Sequence, residues 1–217
     1  RFGGTVDAAS LTTDVGGTVA LDGGRITTDG AVTFGEAVIL GADTTITSNN
    51  STVVFGLTVD SDGAARALTV NAGGNVDFTG AVGDTSVLGD IVINSGNETR
   101  FGDTVDAATL TTDVGGTVAL DGGRITTDGA VTFGEAVILG ADTTITTTNS
   151  TVSFGSTVDS DGTARALTVT TGSGNVDFTG AVGDTSVLDA IAINSTGETR
   201  FGGTVDAASL TTDVGGT

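Results

Sequence analysis

The chain has 217 residues, among them 36 glycines and no proline, cysteine, methionine, tryptophan or tyrosine. Its 27 acids face seven arginines, with no lysine or histidine, for a formal charge of −20. The missing cysteines exclude disulfides, thiolate metal sites and thiol chemistry. The acidic balance opposes binding to nucleic acid or to an anionic membrane surface. No apolar run is long enough to cross a bilayer as a helix. Glycine recurs too often for long helices, and a hydrophobic fraction of 37% is too high for a disordered linker.

From Arg1 the sequence reads RFGGTVDAASLTTDVGGTVALDGGRITTDGAVTFGEAVILGADTTIT. It returns almost unchanged from Arg100 and starts again at Arg200, at offsets of 99 and 100 residues. The extra residue lies where NAGGN (71–75) becomes TTGSGN (170–175). Such self-similarity predicts a modular stack in which each unit contacts its neighbours. The chain is therefore read as one array over 1–217 with units 1–99, 100–199 and a partial 200–217. Starting and stopping inside the repeat, it is expected to be a piece of a longer tandem-repeat protein.

A shorter period nests inside this one. Phe2, Phe34, Phe55, Phe78, Phe101, Phe133, Phe154, Phe178 and Phe201 are each followed within two residues by glycine and at four residues by valine. Their spacing is 32, 21, 23 and 23 residues in the first repeat. Between them lie second apolar segments such as Leu68-Thr-Val and Ile91-Val-Ile. Short alternating strands joined by Gly, Asn and Asp turns predict rungs of a parallel β-solenoid, of about 20–23 residues each. The 32-residue interval, which also holds Val19-Ala-Leu21 and Ile26-Thr-Thr, reads as two short rungs or as one rung with a hairpin. That leaves four or five rungs per repeat. The phenylalanines are expected to form one interior ladder.

The two copies vary informatively. Val53-Val54-Phe55 becomes Val152-Ser153-Phe154, and Ile91-Val92-Ile93 becomes Ile191-Ala192-Ile193. Only the middle residue changes, as expected if strand neighbours alternate between core and solvent.

Few residues carry chemistry. Asp60 and Asp62, with their copies Asp159 and Asp161, flank a serine ahead of glycine, two carboxylates that suit Ca²⁺; the same letters also describe an ordinary Asp-Gly turn. Calcium is the one cofactor to consider. The remaining acids are scattered through turns without a histidine, lysine, cysteine or tyrosine partner, so no catalytic residue is assigned and no enzymatic activity is expected. The threonine pairs 12–13, 27–28 and 44–45, with Thr47, read as hydroxyl ladders on an exposed face, of the kind that could meet ice. Asn49, Asn50, Asn97, Asn149 and Asn194 begin N-x-S/T triplets. The arginines recur with the repeat, which points to pairing with acids.

Units such as VTFGEAVILGADTTIT, GNVDFTGAVGDTSVL and ARALTV resemble the repeats of very large bacterial exoproteins related to filamentous haemagglutinin. The resemblance implies a right-handed parallel β-helix, secreted and displayed on a Gram-negative surface as a structural or adhesive rod. Its implied partners are further repeats of the same protein, laterally associated copies and a host or neighbouring-cell surface. A module binding calcium, ice or carbohydrate through its repeated turns is the alternative.

Overall fold

A computed structural model describes residues 1–213, all-β and with no helix among them. Parallel strands stack as a β-solenoid of about ten turns of ~21 residues. The last four residues of the partial third repeat lie outside the described residues. Two compact units divide the chain, Arg1–Ala108 and Thr109–Thr217.

Each turn of unit 1 has three faces. Face A stacks Val6–Ala8, Arg25–Thr28, Thr44–Ser48, Leu68–Ala72 and Leu88–Ser95. Face B stacks Leu11–Thr12, Val32–Phe34, Val53–Phe55, Val76–Phe78 and Glu98–Phe101. Face C stacks Thr18–Leu21, Ala37–Leu40 and Val59–Ser61, then narrows to single bridged residues, Val82 and Val105. Unit 2 repeats the plan. Its face A runs from Arg124–Thr127 to Ala207–Thr212, face B from Leu110 and Thr111 to Thr199–Phe201, and face C from Thr117–Leu120 to Val205.

The register places like on like. Ile26 pairs with Ile46, Ile46 with Val70, and Val70 with Ile93. Successive side chains along a strand point to opposite sides. Val53 and Phe55 are therefore fully buried while Val54 is partly exposed, and Val152 and Phe154 flank Ser153 in the same way. Ile91 and Ile93 enclose partly exposed Val92, and Ile191 and Ile193 enclose Ala192. In these two strands the substitutions between the copies fall on the outward side, whereas the change from Ser48 to Thr147 is a buried one that keeps the hydroxyl.

The phenylalanines of face B stack ring on ring. In unit 1 Phe34, Phe55, Phe78 and Phe101 have successive centroid separations of 5.3, 4.7 and 5.2 Å. In unit 2 the separations along Phe133, Phe154, Phe178 and Phe201 are 5.5, 4.7 and 4.9 Å. The rung spacing of ~4.8 Å imposes this distance, and near-parallel rings fill the interior without voids. Burying each ring contributes about 1.5–3 kcal/mol, and aromatic packing about 0.5–1.5 kcal/mol more.

Phe2 stands apart from this ladder. It is partly exposed and bridges to Leu21 on face C, not to a phenylalanine. Its copy Phe101 pairs with Phe78 on face B. The neighbouring valine behaves alike: Val6 pairs with Ile26 on face A, whereas its copy Val105 bridges to Val82 on face C. Within unit 1 the motif thus returns one face short of where it began. From Val6 to Val105 the chain makes thirteen strands and the Val82 bridge, fourteen faces in all. Fourteen is not a multiple of three, so the 99-residue cassette is four and two-thirds turns, neither four rungs nor five. The 32-residue interval covers five faces, where the others cover three.

The threonine runs divide between the two sides of face A. Thr28, Thr44 and Ser48 are buried, whereas Thr27, Thr45 and Thr47 are not. The buried hydroxyls bind the main chain: Thr28 Oγ1 and Ser48 Oγ both donate to the carbonyl of Gly30, at 2.6 and 2.9 Å. In unit 2 Thr171 Oγ1 and Ser195 Oγ both donate to the carbonyl of Gly174, each at 2.6 Å. This interior hydroxyl line satisfies carbonyls that turn inward where the chain leaves face A. Outside, in unit 1, Thr27 and Thr47 are followed by Asn71 and Asn94, and in unit 2 a row of Thr126, Thr146 and Thr170 ends at Asn194.

Candidate functional site

A bonded group of polar side chains lies on face C, where Val59-Asp60-Ser61 leads into the corner Asp62–Arg66. Alternation places Val59 and Ser61 inward and Asp60 outward. Asp60 is nevertheless only 4% exposed, because the chain after Val82 folds over it. Its Oδ1 accepts hydrogen bonds from the backbone N–H groups of Thr85 and Ser86, at 2.9 and 3.1 Å. Two turn donors that a narrowing rung leaves without strand partners are thereby satisfied.

Asp62 faces the other way. Arg66 Nε and Nη2 donate to its two oxygens, both at 2.9 Å, and the Ala64 N–H adds a third bond at 3.2 Å. The guanidinium bond, first, and the Ala64 N–H hold its carboxyl below the usual carboxylate range; Asp62 in turn raises Arg66. Ser61 Oγ accepts from the Arg66 N–H, and Asp43 Oδ1 from the Ala67 N–H, each at 3.0 Å. Asp159 repeats the pattern toward Thr185 and Ser186, and Asp161 the pattern toward Arg165. Asp142 likewise serves the Ala166 N–H.

The four aspartates considered for calcium thus occupy one corner of each unit, but their carboxylates are committed to different donors. Asp60 and Asp159 tie down the overlying turn, and Asp62 and Asp161 hold an arginine. No group of three or more Asp, Glu, His or Cys side chains arranged to hold a metal occurs among the described residues. The arrangement fastens a corner chemically, using carboxylates as acceptors for main-chain N–H. Sequence reading missed this because Asp60 alternates outward, and only the fold of residues 83–87 buries it.

Four other arginines also meet acids. Arg1 pairs with Asp22, Arg25 with Asp7 at 2.9 Å, Arg100 with Asp77 at 3.3 Å and Arg200 with Asp177 at 3.6 Å. Exposed pairs of this kind contribute little to stability individually. Around the last of them, Thr151, Asn175, Val176, Asp177, Glu198 and Arg200 line an open groove of about 300 Å³. Asn175 Oδ1 there accepts from the Glu198 N–H at 2.9 Å. All five triplet asparagines, Asn49, Asn50, Asn97, Asn149 and Asn194, are exposed. Thr99, the hydroxyl residue of the Asn97 triplet, is fully buried and donates to Ser95 Oγ at 3.1 Å.

The chain matches no protein-family profile, no curated protein and no solved structure.

Proposed function

We propose that this chain is a segment of an extracellular structural and adhesive rod on a bacterial surface, built by end-to-end stacking of 99-residue cassettes. The observation that carries this reading lies inside unit 1. One motif, RFG-x-TVDA, forms both the first turn and the last, pairing upward in one case (Phe2 with Leu21, Val6 with Ile26) and downward in the other (Phe101 with Phe78, Val105 with Val82). The same residues therefore suit either side of a turn, and a further cassette needs no new kind of contact.

The resemblance of GNVDFTGAVGDTSVL and its neighbours to exoprotein repeats supports display at a cell surface. Stacked parallel hydrogen bonds would resist extension, and the charge of −20 would keep neighbouring rods apart. An array continued by the fourteen-face rule brings a given loop back to the same side only after three cassettes, so adhesive contacts would be offered all round. Electron microscopy of the native assembly tests the proposal. Thin filaments extending from the cell are expected; globular particles would overturn it.

A further inference from the structure

Among the described residues, Glu135 is a buried carboxyl that stands out. Glu135 follows Phe133-Gly134 at the corner between faces B and C of unit 2, and it is 2% exposed. Neither of its carboxylate oxygens has a hydrogen-bond partner. A buried, unpaired carboxylate is among the costliest groups a fold can hold, unless it keeps its proton.

The surroundings show what it faces. From the turn below comes Asp113, whose carboxylate adds repulsion to the cost of burial, together with Thr112, whose hydroxyl works in the opposite sense. From the turn above, the register Phe133 with Phe154 and Val137 with Val158 sets uncharged Ser156 opposite Glu135. Asp113 is thus the charged group packed against it. This corner is tight: a Cβ at Gly134 would come within 2.2 Å of the Asp113 carbonyl oxygen, so the glycine is required and Glu135 cannot withdraw with its backbone.

The loop Asp113-Val114-Gly115-Gly116 leaves the same corner. Its two glycines have φ of +100° and +143°, and its tip, Val114, is 80% exposed. In unit 1 the equivalent loop lies directly on the equivalent acid, since a Cβ at Gly17 would sit 2.9 Å from Glu36 Oε2. In unit 1, then, the loop glycine approaches the glutamate side chain closely, and in unit 2 the loop begins at Asp113, the acid that faces Glu135.

We propose that Glu135 and Asp113 share one proton, and that this proton latches the Asp113–Gly116 loop onto the solenoid and releases it when lost. A protonated Glu135 can donate to the Asp113 carboxylate, whereas two ionised carboxylates repel across a dry corner. Burial first, and the Asp113 charge second, push the Glu135 carboxyl up to about 7. The sign follows: stability associated with this group is full below the ordinary glutamate range and is lost as pH rises to about 7. Loss of the proton frees a loop tipped with an exposed valine. The inference is independent of the rod reading, since it concerns one corner of one unit.

The chain has only four glutamates, at 36, 98, 135 and 198, so glutamate carboxyl ¹³C labelling gives four signals. In the 217-residue chain the signal that Glu135→Gln removes should titrate near neutrality, and Asp113→Asn should lower its midpoint. Exchange of the Gly115 and Gly116 amides, relative to the Glu135→Gln chain at the same pH, should rise about tenfold between about pH 6 and pH 8. A Glu135 signal titrating in the ordinary glutamate range overturns the proposal. So does loop exchange that follows the same course with pH in the parent and the Glu135→Gln chain.

Discussion

The same corner of the solenoid is built twice, once with an extra residue. In unit 1 the strand Leu68–Ala72 reaches Val76 through Gly73, Gly74 and Asn75; in unit 2 Leu167–Gly172 reaches Val176 through Ser173, Gly174 and Asn175. The register with the next turn is regular in unit 1, running from Leu68–Ile91 to Ala72–Ser95. In unit 2 it shifts between Thr170 and Gly172, a bulge centred on Thr171. Gly172 there takes φ +59°, a conformation that costs a side-chain-bearing residue about 1–2 kcal/mol. Outside, the bond from Asn94 Nδ2 to Asn71 Oδ1 measures 2.7 Å, but its counterpart from Asn194 to Thr170 Oγ1 is stretched to 3.3 Å. Inside, the apolar ladder is unchanged: Val76 and Val176 are both fully buried, and Phe55–Phe78 and Phe154–Phe178 stack at the same 4.7 Å, while buried Thr171, whose hydroxyl donates to the Gly174 carbonyl, takes the place of buried Ala72. The insertion is absorbed at a glycine corner, and the rung spacing leaves the apolar ladder undisturbed.

Mutations placed symmetrically in the two copies can break this comparison. The largest effect is expected from Phe55→Ala and Phe154→Ala, each opening the middle of a ring stack and costing about 3–5 kcal/mol. Denaturant unfolding should give equal losses within error; a clear difference would mean that the insertion reaches the core. Next come Asp60→Ala and Asp159→Ala. Each removes the charged acceptor of two turn N–H groups at a cost of about 1–3 kcal/mol, again equal in the two copies. A thermal midpoint unmoved by either substitution would show that these carboxylates do not fasten the overlying turn.

The smallest effects should be the unequal ones. Asn94→Ala is expected to cost about 1 kcal/mol and Asn194→Ala a few tenths, because the second bond is long and exposed. Equal losses would contradict the view that the bulge is felt mainly outside. Glu135→Gln extends the same logic to pH: removing the buried acid of unit 2 should flatten the fall in the midpoint of thermal unfolding as pH rises from about 4 to 8, and an unchanged fall would contradict its raised carboxyl.

Much of the fold was legible because strand alternation writes itself into the sequence. Val54 and Ser153 could change while Val53, Phe55, Val152 and Phe154 did not, and that alone separates inside from outside. Ring stacking was legible, but it comes as two ladders of four, Phe34 to Phe101 and Phe133 to Phe201, and Phe2 belongs to neither. Residue identity does not reveal which face a motif starts on, and that depends on the number of faces in the cassette. Counting phenylalanines samples one face of three, so four and two-thirds turns looked like a choice between four and five. The threonine runs misled for a related reason: Thr44 and Thr45 are adjacent letters on opposite sides of a strand. At the candidate site the carboxylates were found and their partners were not. Thr85 and Ser86 meet Asp60 across 25 and 26 residues, through a loop that leaves no periodic trace. Glu135 reads as a turn residue beside glycine, and nothing in its neighbourhood in sequence announces that it is buried.

The central claim is that cassettes add by stacking, each extending the array by four and two-thirds rungs. Small-angle scattering from chains of two, three and four cassettes measures this most directly. Stacking at ~4.8 Å per rung predicts that the maximum dimension grows by about 22 Å per cassette while the cross-sectional radius stays constant. Growth with the cube root of mass, or a cross-section that widens as cassettes are added, would contradict it.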